Sequence, residues 1–353
     1  MSFYDSTNLL KNNSTYNVVV GQRSNGKTFN FVDDALDSFI KNGIPSVYVR
    51  RYSEDLTAKN IFKLCDSHIN TLQLLTDDYN CFVYSSHVFY LAYKNDNGKI
   101  EKMSEPFLYC YSLNTWEHQK GQDIGDIYYI IFDEFVTRKK YIENEYEIFM
   151  NVLSTIIRYR TNTKIIMIAN TISKYCPYFD HFKIDIHKIK QGTITNYRYG
   201  ETTLSFEYCS QCDVTSKTNK KYFDFPNKTL QSLKTGVWEI DDYNCVQQYY
   251  YKQSDKLTKI YVCFSNKCFC WELLRYKDNM YSFVYPYDIN KLDYDNYFVV
   301  TNDFEKIMQY QKSVMKIRNN KIFKILYETY ADGKIGYSND DMGDMFENWL
   351  MTA

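Results

Sequence analysis

The stretch Asn17-Val18-Val19-Val20-Gly21-Gln22-Arg23-Ser24-Asn25-Gly26-Lys27-Thr28 runs a β-branched segment straight into the pattern GxxxxGK(S/T). Consecutive valines favour an extended strand. The spacing predicts a strand over Tyr16–Val20, a tight loop, and a helix from Lys27 to Ile40. That order makes a phosphate loop. Gly21 and Gly26 let the backbone N–H groups of Gln22, Arg23, Ser24 and Asn25 curl around a triphosphate; Lys27 adds a cation and Thr28 a hydroxyl for Mg²⁺. The bare pattern arises by chance in unrelated chains, so the flanking strand and helix carry the argument.

The second half of such a site is an apolar strand ending in acid, and residues 127–135 read Ile-Tyr-Tyr-Ile-Ile-Phe-Asp-Glu-Phe. An unbroken apolar run suits a strand covered on both faces in a parallel sheet. Asp133 at its carboxyl end would hold the Mg²⁺ shell, and Glu134 would polarise the attacking water. Small-molecule kinases and GTPases usually lack the second acid, whereas ring and motor ATPases carry it. The bland alternative, two solvated carboxylates at a strand end, weakens once the phosphate loop lies upstream.

At 353 residues the chain is long enough for two cores. A net charge of −1 leaves no global field toward nucleic acid or membrane, so any DNA contact must come from local basic patches. The 36 Tyr and 23 Phe, with abundant Asn, Lys and Ile, read as AT-rich coding bias rather than as a fold signal. Ten scattered cysteines argue against a disulfide framework. Cys209 and Cys212 form one CxxC without a second pair at zinc spacing, so a metal site is not assigned. Cys263, Cys268 and Cys270 read as apolar strand fillers. No apolar stretch reaches spanning length and the N-terminus lacks a signal-like core, which predicts a cytosolic protein without membrane attachment.

Further strands are predicted at Ser46–Val49, Cys81–Tyr84, Phe107–Tyr111 and Lys164–Ala169, with a polar turn over Lys94–Lys102. A helix over Glu145–Tyr159 follows from Ile148, Phe149, Val152, Leu153, Ile156 and Ile157 recurring on one face. Strands alternating with helices predict an α/β class: a parallel P-loop NTPase sheet with helices on both faces. The expected organisation is an ATPase domain over 1–213, a linker over 214–245, and an α+β domain over 246–353. In the last, strands are expected at Val246–Tyr251, Lys259–Ser265, Lys267–Leu274 and Met280–Tyr285, with turns at Ser265-Asn266 and Lys277-Asp278-Asn279. Helices at Asn302–Arg318 and Lys321–Tyr330 follow. The tail after Asp332 looks like an extension, and its apolar face (Met342, Met345, Phe346, Trp349, Leu350) is expected to pack on its own domain.

Asn170, ending the Lys164–Ala169 strand, either turns the strand end or reaches a γ-phosphate. Arg158 and Arg160 either satisfy the dipole of the helix they end or are lent across a subunit boundary to a phosphoryl transition state. Phe3 and Tyr4 are weak candidates to stack on adenine.

Several strings then coincide: Val20–Thr28, Val47-Tyr48-Val49-Arg50-Arg51-Tyr52, Trp116 with Lys120 four residues on, Ile131-Phe132-Asp133-Glu134-Phe135, Ile157-Arg158-Tyr159-Arg160, Ala169-Asn170 and Pro177-Tyr178-Phe179. In this order the chain resembles the DNA-packaging (encapsidation) ATPases of small podophages with protein-primed linear genomes, the Salasvirus type. The likeness runs through most of residues 1–180 and is one of strand–helix pattern in the last third. It implies a homo-oligomeric ring, five subunits in the family, docked on the portal of a procapsid in the host cytoplasm and driving double-stranded DNA inward with ATP and Mg²⁺. It further implies that Arg158 acts in trans, with Arg160 as runner-up; that Arg23 touches phosphate or signals to a neighbour; and that Lys120 lines the channel and grips DNA phosphates. The C-terminal domain resembles the family's RNase H-like module. Val246–Tyr251 and Lys259–Ser265 lack the clustered acids that two-metal cleavage needs, so a vestigial module without nuclease activity is expected. Some relatives use a packaging RNA, on which these residues are silent. The alternatives are a helicase or conjugation-type translocase with the same core, and a non-enzymatic portal adaptor switched by ATP.

Overall fold

The computed structural model describes residues 3–119, 124–138, 141–213, 217, 220–222, 224, 233–239, 243–245, 248–264, 267–288, 298–301 and 321–352. The chain forms two compact units. One comprises Met1–Lys174 and Asp185–Trp238, the other Tyr175–Ile184 and Glu239–Ala353. Both departures from the expected division have local causes. Residues 233–238, predicted as linker, are hydrogen-bonded into the first unit; Tyr175 packs into the core of the second.

Among the described residues the first unit is built on a nine-stranded sheet. Its strands are β1 (Tyr16–Gly21), β2 (Ser46–Arg50), β3 (Cys81–Ser85), β4 (Val88–Lys94), β5 (Ile100–Ser112), β6 (Tyr129–Asp133), β7 (Lys164–Asn170), β8 (Thr193–Tyr199) and β9 (Thr202–Tyr208). They lie in the order β3-β4-β5-β2-β6-β7-β1-β9-β8. The run from β5 to β9 is parallel, with β3, β4 and β8 antiparallel at the edges. β6 is buried throughout, as its unbroken apolar run requires. Gly21 pairs with Asn170 and Asp133 with Ile168, so β1, β6 and β7 end together at one edge. The helices Lys27–Asn42 and Glu145–Ile157 bear out the periodicity read from the sequence. β4, β8 and β9 were not foreseen. β9 alternates the buried Leu204, Phe206 and Tyr208 with Ser205 and Glu207, whereas β8 is largely polar and is a strand by pairing with β9.

The second unit, as far as described, is α+β. β10 (Asp255–Phe264), β11 (Lys267–Tyr276) and β12 (Asn279–Pro286) form an antiparallel meander. It is extended by β13 (Phe298–Thr301) and β14 (Ile335–Tyr337), each parallel to its neighbour. Lys277 and Asp278 both take positive φ, +48° and +64°, the twist that suits a two-residue hairpin. The expected strand over Val246–Tyr251 is wrong: Gln248–Gln253 is a helix. Its residues lack a period-2 alternation, and Tyr251 anchors it by packing on Phe283 at 4.9 Å and donating to Glu272 at 2.6 Å. Cys263 and Cys268, opposite each other in the β10–β11 register, form a disulfide where fillers were expected. The turn at Ser265-Asn266 and the helix Asn302–Arg318 lie outside the described residues. No helix among the described residues is long and apolar enough to cross a membrane.

The segment after Asp332 is no appendage. β14 pairs with β12, and the helix Asp340–Thr352 places Met345, Phe346 and Trp349 against Phe269 and Trp271, with ring separations of 4.8 Å (Trp271–Phe346) and 5.5 Å (Phe269–Trp349). Trp349→Ala is therefore expected to destabilise this unit by about 3–5 kcal/mol, read as a lowered urea midpoint. An unchanged midpoint would mean that the helix is detachable.

Candidate active site

β1 delivers the chain to Gly21, where a side chain is impossible: a Cβ there would lie 2.7 Å from Cys209 Cβ. Gly26 has a different duty. Its φ of +94° turns the chain into the helix Lys27–Asn42; the glycine itself supplies no cap, and Asn25 Oδ1 accepts only a long bond from Lys27 N, at 3.4 Å. Its first N–H groups thus remain available for an anion at the positive end of the dipole. Ser24 shares the left-handed geometry at φ +58°.

Lys27 is 4 % exposed. Its Nζ donates to Gln22 O at 2.7 Å and Asn25 Oδ1 at 3.0 Å, with Gly21 O and Asn170 Oδ1 at 3.3 Å. Burial pushes its pKa from 10.5 down to about 8, against the pull of Cys209, Asp133 and Cys212. Asn170, from the end of β7, thus stands beside the loop lysine, as the sequence reading allowed.

Asp133 ends β6 and is buried. Its Oδ2 accepts from Thr28 Oγ1 at 3.0 Å and from Tyr48 OH at 2.7 Å; its Oδ1 accepts from Glu134 N at 3.0 Å. Burial, reinforced by the adjacent Asp133 charge, pushes the Tyr48 hydroxyl well above the ordinary tyrosine range, so it stays protonated and donates. Glu134 takes φ +59°, and its Oε2 accepts from Arg50 Nη2 at 2.6 Å. Arg51 turns to other partners. It is buried, forks onto both oxygens of Glu145 (2.7 and 3.0 Å), and donates to Glu134 O at 3.0 Å and Phe135 O at 2.7 Å. Arg50 thereby holds the glutamate's carboxylate and Arg51 its backbone. Sequence reading left both arginines unassigned and missed Tyr48. The signal was the adjacency of Val-Tyr-Val-Arg-Arg to β6, which only the strand order reveals.

Lys27, Thr28, Asp133, Glu134 and Asn170 line one cavity of about 230 Å³. Among the described residues no three His, Cys, Asp or Glu side chains form a closed metal cage. A hydroxyl and a carboxylate oxygen converging at 3.0 Å suit Mg²⁺, which takes one or two protein oxygens and fills its octahedron with water and substrate phosphates. Gln22 is buried and its side chain bonds to Leu233 O and Cys212 N, while Arg23 is exposed on the loop. Phe3 is exposed beside Gly26; Tyr4 is held by Glu207 at 2.8 Å.

Arg158 and Arg160 stand elsewhere. They border a second cavity, of about 610 Å³, lined by residues preceding β2, β6 and β7, at the amino ends of the strands. The seven residues of β7 separate that edge from the phosphate loop, about 20 Å at the rise of a strand. Arg158 ends the helix Glu145–Ile157 as its C-cap with φ +46°, its Nε donating to Thr155 O at 3.2 Å. Arg160 donates to Ile156 O at 2.6 Å and pairs with Asp126 at 3.5 Å. Lys120 lies outside the described residues.

A profile of the podovirus DNA encapsidation protein (Gp16) family matches residues 1–348. The chain belongs to that family. The DNA packaging protein of Bacillus phage phi29 is 28% identical over 191 residues, 53% of this chain and 52% of the relative; the chain thus spans about half the length of that protein. The DNA packaging protein of Bacillus phage B103 is 27% identical over 256 residues, 63% of this chain and 73% of its own. Among solved structures the Phi-28 gp11 DNA packaging motor superposes with a TM-score of 0.57 at 19% identity, over 99% of this chain and 97% of that one. The Phi-29 viral genome packaging motor assembly gives 0.53 at 17%, over the full length of both. At such identities these two likenesses establish the fold of this encapsidation-family chain.

One consequence concerns pH. The unfolded chain keeps Lys27 charged to about pH 10.5 but the fold only to about 8, so its burial penalty is carried in full below 8 and relieved as pH rises toward 10.5. A bound triphosphate raises that pKa, and binding above pH 8 takes up a proton. Affinity for a fluorescent ATP analogue is expected to be flat from pH 6.5 to about 7.5 and to fall toward about tenfold per pH unit above 8. A flat profile to pH 9.5 would show that the lysine is not what titrates.

Proposed function

We propose that the protein is an ATP-hydrolysing translocase of double-stranded DNA, working as a homo-oligomeric ring on a phage portal to fill the procapsid. The observation carrying this is the convergence of Lys27, Thr28, Asp133 and Glu134 in one cavity while Arg158 stands at the opposite edge of the same sheet. Family membership supports the DNA and portal assignments.

The chain's own residues divide the work. Backbone N–H groups of 22–26 and the ammonium of Lys27, leaving the carbonyls of Gly21 and Gln22, bind the phosphates of ATP. Thr28 Oγ1 and Asp133 Oδ2 would hold Mg²⁺, which would supply charge neutralisation to the bound phosphates. Tyr48 keeps Asp133 aimed. Glu134 orients and polarises the attacking water, and Arg50 sets where its carboxylate rests. Asn170 borders the γ-phosphate position from β7. Arg158, too far from its own loop, completes a neighbour's site across the ring and stabilises the transition-state charge. Arg160 is committed to Ile156 O and Asp126, which favours Arg158 for that role.

The second unit serves DNA or portal binding without cleavage. Its β11 does carry a buried acid that the sequence reading passed over, Glu272, but Tyr251 and Tyr285 hydroxyls hold it. One carboxylate does not make a two-metal site.

Glu134→Gln is expected to bind ATP with unchanged affinity and to lose about 10²–10⁴ in turnover. Arg158→Ala should bind ATP normally, lose about 10³-fold or more of DNA-stimulated hydrolysis, and poison wild-type rings in mixing experiments. Brisk hydrolysis by the glutamine variant, or loss proportional only to the mutant fraction, would overturn these roles.

A further inference from the structure

Gln22 lies inside the phosphate loop, yet nothing in phosphate binding calls for a glutamine side chain there: backbone N–H groups, a lysine and a hydroxyl suffice. Its side chain is 1 % exposed as a residue and is engaged at both ends, Nε2 donating to Leu233 O at 2.7 Å and Oε1 accepting from Cys212 N at 3.2 Å. Leu233 begins a short segment whose four successive carbonyls each accept from a different side chain. After Leu233 O, Lys234 O takes Gln211 Nε2 at 3.3 Å, Thr235 O takes Gln191 Nε2 at 2.8 Å, and Gly236 O takes Tyr208 OH at 3.1 Å. Gly236 has φ +73°, and a Cβ there would lie 3.0 Å from Gln22 Cβ and 3.3 Å from Gln22 N, so the segment runs directly against the phosphate loop. Trp238 closes it, buried, its ring 5.7 Å from that of Tyr208. The next residue, Glu239, begins the longer segment of the second unit.

The same Gln22 peptide whose side chain holds the segment has its carbonyl on Lys27 Nζ at 2.7 Å. Lys27 cannot serve that carbonyl and a triphosphate equally. Drawing the ammonium toward phosphate would free the Gln22 carbonyl, so the residue whose side chain anchors Leu233 would lose that restraint.

We propose that residues 233–238 form a strap that positions the phosphate loop through Gln22, so that seating of the strap and occupancy of the loop by nucleotide oppose one another. The proposal rests on the nucleotide-binding part of the function above and adds a device within the same unit that regulates it. Linkage makes the effect reciprocal: whatever factor nucleotide removes from strap seating, strap seating removes from nucleotide affinity.

The test is hydrogen exchange of the 233–238 amides in the full-length protein, with and without ATP and Mg²⁺, in a Glu134→Gln background to prevent turnover, with nucleotide binding measured separately. ATP is expected to accelerate exchange across the strap. Gln22→Ala should abolish that ATP dependence, leaving one rate in both conditions. Tyr208→Phe keeps the ring but removes the hydroxyl's bonds to Gly236 O and from the Trp238 backbone; it should speed strap exchange without ATP and tighten nucleotide binding by about two- to tenfold, the range a hydrogen bond or two allows. Unchanged strap exchange in a protein that demonstrably binds ATP would overturn the proposal. So would an ATP effect that survives Gln22→Ala, or unaltered affinity in Tyr208→Phe. Failure to bind ATP at all would instead remove the function on which it rests.

Discussion

The carboxylate of Asp133 is the point on which the first unit closes. A buried carboxylate is costly unless it is hydrogen-bonded and near positive charge. Here Thr28 from the helix after the phosphate loop, Tyr48 from β2 and the backbone N–H of Glu134 supply the bonds, with Arg50 Nη1 at 3.7 Å. Three elements distant in sequence must meet to satisfy it, which pins β2 beside β6 and the loop beside both. Tyr48 and Arg50 are two residues apart on β2 and so share a face. The register that gives Asp133 a donor therefore also gives Glu134 a guanidinium.

Sheet polarity then distributes the chemistry. Parallel strands place every carboxyl end at one edge, where β1, β6 and β7 contribute Gly21, Asp133 and Asn170. The amino ends gather at the other edge, where Arg158 and Arg160 border a separate cavity. The trans role proposed for Arg158 follows from this separation: its own loop lies at the far edge, so only a second copy could bring the two together.

Much of this was legible from residues alone where the cause is local. The phosphate loop, the apolar strand into Asp133, and the helices beginning at Lys27 and Glu145 depend on neighbours within a few positions, so pattern finds them. The terminal helix was legible as amphipathic, and its burial against Trp271 followed the expectation that it packs on its own unit. What failed was non-local. Val246–Tyr251 resembled a strand in composition but is helical beyond Gln248, anchored by Tyr251. β9 adds to β1, and the largely polar β8 is a strand because β9 offers it an edge. Residues 233–238, irregular in sequence, are ordered by side chains from Gln22 to Gln211.

The sequence by itself determined the chemical inventory: a lysine and hydroxyl after a glycine-rich turn, an aspartate–glutamate pair after an apolar strand, and two arginines after a helix. Each is written in contiguous residues whose conformation follows from short-range sterics and periodicity. Only the tertiary structure decided that Arg50 and Arg51, adjacent in the chain, divide between the carboxylate and the backbone of Glu134, and that Gln22 faces the strap rather than the cavity. Those outcomes depend on which strands become neighbours, a choice made by burial summed over the whole sheet.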